Sequence, residues 1–394
     1  MTKQKAYIPK KTLEDLEYHE VLSQVAVFAI TELGAQACLA TQPLPDSPEL
    51  HQQLQAVFEF HASFENDNRI PNHGFEDLST SIKMLQIENS VLEIQAFRAI
   101  GASSETVNTL LNFFKKFKAY YPTLFDWGKE MAVNKEIKKE VDHVIDRFGE
   151  VRNNASEDLS RIRKQIHQLK GRIGQSFNKA LSHYTQQDYL DDIRESVLDN
   201  KRVLAVKAMY RRKVKGTIMG SSKTGSIVFM EPETTAQLTR ELQNLLYEET
   251  EEIKKILSQL TNYLRPHTDL IRQYQNYLLQ LDVVYAKACY AQDINGILPK
   301  ITDTQEIEYG QAYHPLLWKT HQTEKKKTYP QDIQLHPGKR IVVISGPNAG
   351  GKSITLKTVG LLQLMLQSGL LIPVHERSRA TLFNTILTDI GDNQ

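Results

Sequence analysis

The sequence predicts a mostly α-helical protein with an α/β part toward its C-terminal end. Three observations lead to this prediction. Apolar residues recur at helical heptad spacing through residues 137–181, and a segment with strand periodicity covers residues 201–230. Further on, four β-branched residues at 341–344 precede a glycine-rich turn and a second helical run, which is the order of a strand, a loop and a helix.

Length and composition set the broad class. A chain of 394 residues is long enough for two or three domains. With 40% hydrophobic and 24% charged residues it has the composition of a globular protein, which excludes a wholly disordered chain, a collagen-like fibre and a small disulfide scaffold. Because 48 basic residues face 47 acidic ones, any attraction to nucleic acid must be local.

Cysteine usage and hydropathy predict a cytoplasmic protein with no membrane partner. Cys38 and Cys289 are too far apart in the chain for a metal-binding motif, and two cysteines do not make a disulfide framework, so we expect reduced thiols. The basic N-terminus has no apolar run behind it and does not predict a signal peptide. Polar residues interrupt the longest apolar stretches, at 21–40 and 360–374, before they reach the length of a membrane span.

Residues 1–130 are predicted to form a helical core. A helical apolar pattern begins at Leu13 and Leu16, and prolines at positions 43, 45, 48 and 71 divide the segment into pieces. We find no clustered histidines or paired carboxylates here, so the segment carries no candidate chemistry.

Residues 131–298 are predicted to form a long antiparallel coiled-coil lever with a small β unit. The heptad stripe from Ile137 to Leu181 predicts one long helix, with a single irregular step at Ala155. Strand patterns and a Gly/Ser-rich turn then predict a β unit at about 197–232, and helical periodicity returns from Leu238 to Leu264. Two such helices separated by about 50 residues most simply pack antiparallel, which presents the β unit at the end of a stalk.

Residues 299–394 contain a complete phosphate-loop pattern, G-x-x-x-x-G-K-S, after a predicted buried strand at 341–345 and before a helix ended by Gly369. Glycines in such a loop let backbone N–H groups surround phosphates at the positive end of the helix. Lys352 is predicted to bridge the β- and γ-phosphates of ATP, and the hydroxyl of Ser353 to ligate Mg²⁺. Tyr329 is a candidate to stack on the adenine, with an ordinary loop or core position as the alternative. The candidate nucleotide-binding residues are Gly346, Pro347, Asn348, Ala349, Gly350, Gly351, Lys352, Ser353 and Tyr329.

The predicted β unit is strongly basic. Residues 201–223 hold eight cations and no acid, a pattern that attracts phosphate backbones without reading sequence. A solvated surface face is the alternative interpretation. Only Tyr210 and Phe229 are interleaved with the cations, so reading of single-stranded bases is not indicated. The candidate nucleic-acid-binding residues are Lys207, Arg211, Arg212, Lys213, Lys215 and Lys223.

The catalytic residues of an ATPase are not assigned. A Walker-B carboxylate and a water-orienting residue are needed for hydrolysis. The segment 382–389 is a poor match, since Asn384 and two threonines break its apolar run and no glutamate follows Asp389. We therefore expect the chain to be the N-terminal part of a longer protein that carries the rest of the ATPase.

Several segments together resemble the MutS family. GPNAGGKSITLKTVGLLQLMLQSGLLIPV is similar to the phosphate loop and helix of MutS ATPases, most closely those of the MutS-two branch. RVLAVKAMYRRKVKGTIMGSSKTGSIVFMEP resembles the clamp segment of that branch, TLEDLEYHEVLSQVAVFAITELG its opening helices, and DIGDNQ the segment before its signature loop.

The resemblance implies a fold and a set of partners. It implies a helical core, a coiled-coil lever with a clamp, and the first half of an ABC-type ATPase that dimerises to complete its nucleotide sites. It also implies a C-terminal Smr nuclease domain in many members. Mismatch-reading members carry a Phe-x-Glu wedge in an extra N-terminal domain. The matches here, Phe148-Gly149-Glu150 and Phe229-Met230-Glu231, lie elsewhere, so mismatch recognition is not expected.

The resemblance and the basic segment together lead to three hypotheses. The first is an ATP-dependent clamp on branched or duplex DNA that suppresses recombination and works as a homodimer at full length. The second is an ATP-driven factor that binds ribosomes or ribosomal RNA and rescues collided ribosomes. The third, for the 394 residues themselves, is a nucleic-acid-binding fragment that binds ATP without hydrolysing it.

Overall fold

The computed structural model describes residues 7–346 and 351–390. The helices in chain order are α1 (Lys10–Asp15), α2 (Tyr18–Ala26), α3 (Glu32–Leu39), α4 (Pro48–Ala62), α5 (Ser79–Leu85), α6 (Ile94–Lys116), α7 (Pro122–Gly128), α8 (Glu136–Val144), α9 (Glu157–Gln186), α10 (Glu233–Leu264), α11 (Thr268–Asp293), α12 (Pro315–Glu324) and α13 (Lys352–Gln367). The strands are β1 (Leu190–Leu198), β2 (Lys201–Lys207), β3 (Gly216–Ser221), β4 (Ile227–Pro232), β5 (Lys300–Ile301), β6 (Ile307–Ala312), β7 (Gln331–Leu335) and β8 (Arg379–Ala380).

The chain divides into two compact units. The first comprises Met1–Ile82, Ala99–Lys138 and His267–Gln394, and the second Lys83–Arg98 and Lys139–Pro266. Helices dominate both units, and each has one four-stranded sheet among the described residues, so the prediction of a mostly helical chain with an α/β part is confirmed. The predicted domain boundaries near 130 and 298 stay predictions.

The C-terminal part of helix α13, from Leu361 onward, is buried in the first unit. Leu361, Leu362 and Met365 on this helix are fully buried in a cluster that also contains Leu16 and Tyr18 from the N-terminal segment. A second cluster packs α11 against α4 and the C-terminal half of α6. Burial of so many large apolar side chains on α13 means that its orientation is determined by the surrounding helices.

The sheet of the first unit has the strand order β5-β8-β6-β7. Strand β8 runs parallel to β5 and antiparallel to β6, and β7 is antiparallel to β6. The ring of Tyr309 on β6 is buried in the same cluster as α13 and its hydroxyl donates a 2.9 Å hydrogen bond to Oε1 of Gln363. The sheet and α13 are therefore joined by both apolar and polar contacts.

Helices α9 and α10 of the second unit lie antiparallel. Ser156, just before α9, hydrogen-bonds Glu252 near the end of α10, whereas Ser176, farther along α9, contacts Thr234 at the start of α10. Between them Arg163 forms a 2.6 Å ion pair with Glu249. The residue numbers of the partners on α10 fall as those on α9 rise, so the two helices run antiparallel.

The single helix predicted across residues 137–181 is wrong. Helix α8 ends at Val144 and α9 begins at Glu157, with a turn between them. Oδ1 of Asp146 accepts the backbone N–H groups of Phe148 and Glu150, each at 2.9 Å, and Gly149 takes a φ of +87°. Those hydrogen bonds also hold the pKa of the Asp146 carboxyl below its usual range. Local side-chain capping and a left-handed glycine outcompete the heptad pattern here.

Ser156 caps the new helix start. Its Oγ accepts the N–H of Leu159 at 3.0 Å and donates to Oε1 of Glu252 at 2.8 Å. Loss of a serine cap costs about 1 kcal/mol. We therefore expect Ser156→Ala to speed hydrogen exchange of the Leu159 amide by about fivefold. Ser160→Ala, on the exposed face of the next turn, is the matched control and should leave that rate unchanged. Equal rates for the two variants would contradict the cap.

The sheet of the second unit has the order β1-β2-β4-β3, all antiparallel. It begins at Leu190, so the predicted start near residue 197 is wrong because β1 was missed. β1 is an edge strand whose sequence, LDDIRESVL, leaves most side chains exposed, so it lacks the alternating apolar pattern of a half-buried strand. Charged side chains on an edge strand disfavour pairing with a further strand.

The buried strand predicted at 341–345 is also wrong. No strand is formed over these residues, and the side chains of Ile341 and Val343 are 83% and 85% exposed. A β-branched run becomes a buried strand only where neighbouring strands pair with it. In the described part of the chain no strand pairs with this segment.

Among residues 7–346 and 351–390, no helix combines the length and the apolar character that crossing a membrane requires.

Candidate functional site

The glycine-lysine-serine segment occupies the start of α13. Gly351 is the N-cap with a left-handed φ of +80°, and Lys352 is the first helical residue. The hydroxyl of Thr355 donates to the carbonyl of Gly351 at 3.1 Å, and Ser353 is exposed. The other predicted contacts, Pro347, Asn348, Ala349 and Gly350, lie outside the described residues.

Lys352 bends back toward Gly346. Its Nζ donates to the carbonyl oxygen of Gly346 at 2.5 Å. The first N–H groups of this 16-residue helix carry its positive dipole end. A lysine side chain beside a helix start can bind an anionic group.

Tyr329 lies just before β7 and its ring is 72% exposed. Nζ of Lys327 lies 5.1 Å from the ring centroid. The ring is thus accessible for stacking.

The opposite end of α13 carries a buried polar network that sequence reasoning missed. Nε2 of Gln363 donates to Oε1 of Gln367 at 2.9 Å, and Nε2 of Gln367 donates to the carbonyls of Leu44 and Phe383, each at 2.8 Å. The hydroxyl of Tyr18 donates to Oγ of Ser368 at 2.6 Å. The signal was present as polar residues interrupting the apolar run at 360–374, which a buried helix tolerates only when every polar group is satisfied.

Some of the positive charges at residues 201–223, in the sheet of the second unit, are paired with acidic residues from elsewhere in the chain. Acids from outside residues 201–223 pair with three of the eight cations: Glu231 with Lys201 at 3.5 Å, Glu195 with Arg202 at 2.5 Å, and Asp188 with Lys207 at 2.9 Å. The hydrogen bond that Lys207 donates to Asp188 raises the pKa of Lys207 above its usual range. Lys207, one of the predicted contact residues, therefore has its charge compensated.

Five predicted contact residues keep exposed charges. In the described part of the chain, no carboxylate lies within ion-pair distance of them. These residues are Arg211, Arg212, Lys213, Lys215 and Lys223, and we call them the open cations. A cation without a carboxylate partner is the one that a phosphate can engage without breaking an existing ion pair.

The open cations extend from one end of the sheet to the other. The backbone N–H of Ala208 donates to the carbonyl of Ser226 at 2.9 Å, so the segment leaving β2 starts beside the 222–226 turn that holds Lys223. At the other end, the N–H of Glu233 at the start of α10 donates to the carbonyl of Lys215 at 3.1 Å. Arg211, Arg212 and Lys213 lie on the segment that crosses between these ends, so the charge forms a stripe.

Tyrosines pack under part of this stripe. The rings of Tyr189 and Tyr210 stack with centroids 4.7 Å apart and planes 27° apart, and Tyr184 stacks on Tyr189 at 6.4 Å. Nζ of Lys213 lies 5.5 Å from the centroids of both Tyr189 and Tyr210. Sequence reasoning identified only Tyr210, because the β1–β2 pairing that brings Tyr189 beside it is not a local feature. The stack orients Lys213 by cation–π contact.

These features define a mostly helical protein with a small α/β part, in which a candidate anion-binding helix start belongs to one compact unit and a cationic sheet to the other.

Comparison with known proteins identifies the family. The chain is 31% identical over 388 residues to the endonuclease MutS2 of Bacillus velezensis, and 31% identical over 388 residues to that of Pediococcus pentosaceus. It is also 31% identical over 388 residues to the putative endonuclease MutS2 of Bacillus subtilis. Each alignment covers 98% of this chain and 48% of the relative. No family model matches the chain. On these alignments the chain belongs to the MutS family, within its MutS2 branch, and the resemblance stated from the sequence is confirmed.

The chain spans about half the length of the curated relatives it matches.

Proposed function

We propose that this chain binds ATP with Mg²⁺ at residues 346–353 and a nucleic-acid backbone at the open cations, and that it belongs to an ATP-dependent clamp on branched or recombining DNA. In this proposal Lys352 contacts the phosphates, Ser353 ligates Mg²⁺ and Tyr329 stacks on the base. At full length the clamp is a homodimer that hydrolyses ATP and acts without reading mismatches. The nuclease activity in the relatives' names is assigned to no residue of this chain.

The observation that carries the proposal is the stripe of open cations. Five exposed positive charges on one small sheet, with no carboxylate in ion-pair distance among the described residues, stand out in a chain of net charge +1. A stripe that tracks along a surface suits a continuous polyanion better than it suits a single small anion. The convergence of Lys352 with the start of α13 supports a separate nucleotide site.

The test compares three polyanions. The 394-residue chain and the full-length protein are titrated with four-way junction DNA, linear duplex DNA and purified ribosomes at one salt concentration, with and without a non-hydrolysable ATP analogue. We expect the tightest binding to the junction, and a change in that affinity on addition of nucleotide to the full-length protein. Preference for ribosomes would replace DNA by ribosomal RNA as the partner. Affinity for the junction that ignores nucleotide in the full-length protein would contradict the ATP-dependent clamp.

Neutralising two open cations tests the stripe directly. We expect Arg211→Gln combined with Arg212→Gln to weaken duplex binding about 60-fold near 0.1 M salt, because two phosphate contacts are lost. The slope of log affinity against log salt should become shallower by about 1.8, since each phosphate contact on B-DNA accounts for about 0.9. Binding titrations at several salt concentrations measure both quantities.

The matched control changes the same net charge elsewhere in the same unit. Lys254→Gln combined with Lys255→Gln alters two cations on α10 that already have carboxylate partners in Glu251 and Glu252. This pair of changes should leave the salt slope unaltered. Equal losses for the two double variants would mean that net charge alone controls binding, and that the stripe is not the contact surface.

A further inference from the structure

A cleft of about 640 Å³ opens in the first unit among α3, α4, α7 and α11. Its lining combines apolar and aromatic surface, including Val57, Trp127 and Val284, with several polar side chains, among them the amides of Gln53 and Gln280, and one cation, Lys287. A mostly apolar cleft with a few polar groups is the usual composition of a site for a small organic molecule.

Lys287 is the unusual member of this lining. It lies on α11 and is 4% exposed. An ammonium group has three donors, and here one of them donates to the carbonyl oxygen of Ser368 at 2.7 Å. Within residues 7–346 and 351–390, Lys287 has no other hydrogen-bond acceptor and no carboxylate at ion-pair distance. Two donors of a buried cation therefore have no partner in the described part of the chain.

The carbonyl end of α13 compensates the charge of Lys287 only in part, and no neighbouring carboxylate or thiolate does so. Burial raises the pKa of the Cys38 thiol, on α3, to about 11, so this group is neutral near pH 7. The carboxylate of Asp282, on α11, is already bonded to Ile30 and Thr31. Glu49 on α4 lines the cleft but is exposed. A buried charge of this kind is costly unless an anion accompanies it.

We propose that this cleft is a binding site for a small molecule with an anionic oxygen group, a carboxylate or a phosphate, on an aromatic or apolar body. The anionic group pairs with Lys287 and the body packs against Trp127 and Val57. The two unused donors of Lys287 supply the hydrogen bonds, and the apolar lining supplies the burial.

The same lysine joins the site to α13. Ser368 is the C-cap of the helix that Lys352 begins, and the ammonium group lies at the negative end of that helix dipole. The ammonium group packs closely against Gly369, whose φ is +69°, since a Cβ on that glycine would lie 3.3 Å from Nζ of Lys287. A ligand that binds Lys287 would therefore contact the side chain that is hydrogen-bonded to the residue capping the C-terminal end of α13, opposite to Gly351.

Fluorescence of Trp127 can test the site. The chain has two tryptophans, so Trp318→Phe leaves Trp127 as the single reporter. This variant is titrated in a cationic buffer at pH 7 with benzoate, phenyl phosphate, inorganic phosphate and benzamide, the neutral analogue of benzoate. We expect saturable changes in emission with benzoate or phenyl phosphate, and at least tenfold weaker binding of benzamide and of inorganic phosphate. The tighter of the first two probes identifies the anionic group.

Variants at Lys287 separate binding from folding. In the single-tryptophan background, Lys287→Met should weaken the charged probe at least tenfold, Lys287→Arg should restore most of the affinity, and Lys357→Met on α13 should change nothing. Because burial lowers the pKa of Lys287 to about 8, affinity of the wild-type residue should fall about tenfold per pH unit above 8, and that of the arginine variant should not.

Several results would overturn the proposal. They are the absence of a saturable response to either charged probe, equal binding of benzoate and benzamide, and unchanged affinity in Lys287→Met. Binding of inorganic phosphate as tight as that of phenyl phosphate would remove the aromatic body from the proposal.

Discussion

Replacement of Lys352 by alanine is expected to weaken binding of ATP with Mg²⁺ by about 10- to 100-fold. A hydrogen bond to a charged group contributes about 1.5–3 kcal/mol, and each 1.4 kcal/mol corresponds to a factor of ten in affinity. The ammonium of Lys352 is already hydrogen-bonded to the carbonyl of Gly346, beside the helix start, so little reorganisation is needed for it to meet a phosphate. Titration with a fluorescent ATP analogue measures the loss.

Lys357 on the same helix is the matched control for this change. Its side chain is 23% exposed and pairs with Glu17 at 3.4 Å, away from the helix start. Lys357→Ala should keep ATP affinity within about twofold, a difference of about 0.4 kcal/mol. If Lys352→Ala also retained wild-type affinity, the glycine-lysine-serine segment would not be a nucleotide site.

The second large effect is expected at Asp282. Its side chain is fully buried on α11, and its oxygens accept the N–H groups of Ile30 and Thr31 at 2.8 and 3.0 Å and the hydroxyl of Thr31 at 2.6 Å. Nε2 of His73 lies 3.5 Å from Oδ1. A Cβ on Gly34 would come within 2.1 Å of Oδ2, so the start of α3 can approach the carboxylate only because that residue is glycine. Asp282 therefore holds the segment between α2 and α3 against α11.

Asp282→Ala should lower the stability of the first unit by about 3–5 kcal/mol, because its backbone and side-chain donors would stay buried without an acceptor. Burial alone would raise the pKa of Asp282, but the nearby His73 and the hydrogen bonds from Thr31 and Ile30 hold it below 3.8. Since the folded-state pKa is depressed, the stabilisation is present above pH 3.8 and is lost as the pH falls through the folded-state value. Urea unfolding followed by circular dichroism at pH 7 measures the difference.

The control for this prediction is Asp269→Ala on the same helix. Asp269 is 84% exposed and pairs with Arg272, so its loss should cost less than about 1 kcal/mol. A cost below 1 kcal/mol for Asp282→Ala as well would show that the buried donors find other acceptors.

Features predicted from the sequence were mostly local ones. The helix after Gly351, its end before Gly369 and the strands β2, β3 and β4 follow from residue periodicity and from glycine conformations over a few neighbouring positions. The exceptions have physical causes. The heptad stripe continues through Asp146 and Gly149, but a carboxylate that accepts two N–H groups stabilises a turn that the stripe does not encode.

Strands depend on partners that the local sequence does not specify. β1 is mostly polar, yet it pairs with β2, whereas the strongly β-branched residues 341–345 pair with no described strand. Strand formation is completed by backbone hydrogen bonds to another segment, so intrinsic preference alone gives the wrong answer in both places.

The sequence by itself determined the helical character of the chain, its family resemblance and the residue types of the two candidate sites, because these depend on order and spacing along the chain. Tertiary structure alone decided which cations are open, since Glu195, Glu231 and Asp188 reach their partners through strand pairing. It also decided that Lys287 is buried beside a cleft and that Asp282 has donors in a segment about 250 positions away. Charge compensation and burial depend on contacts between distant segments, and these contacts exist only after the chain has folded.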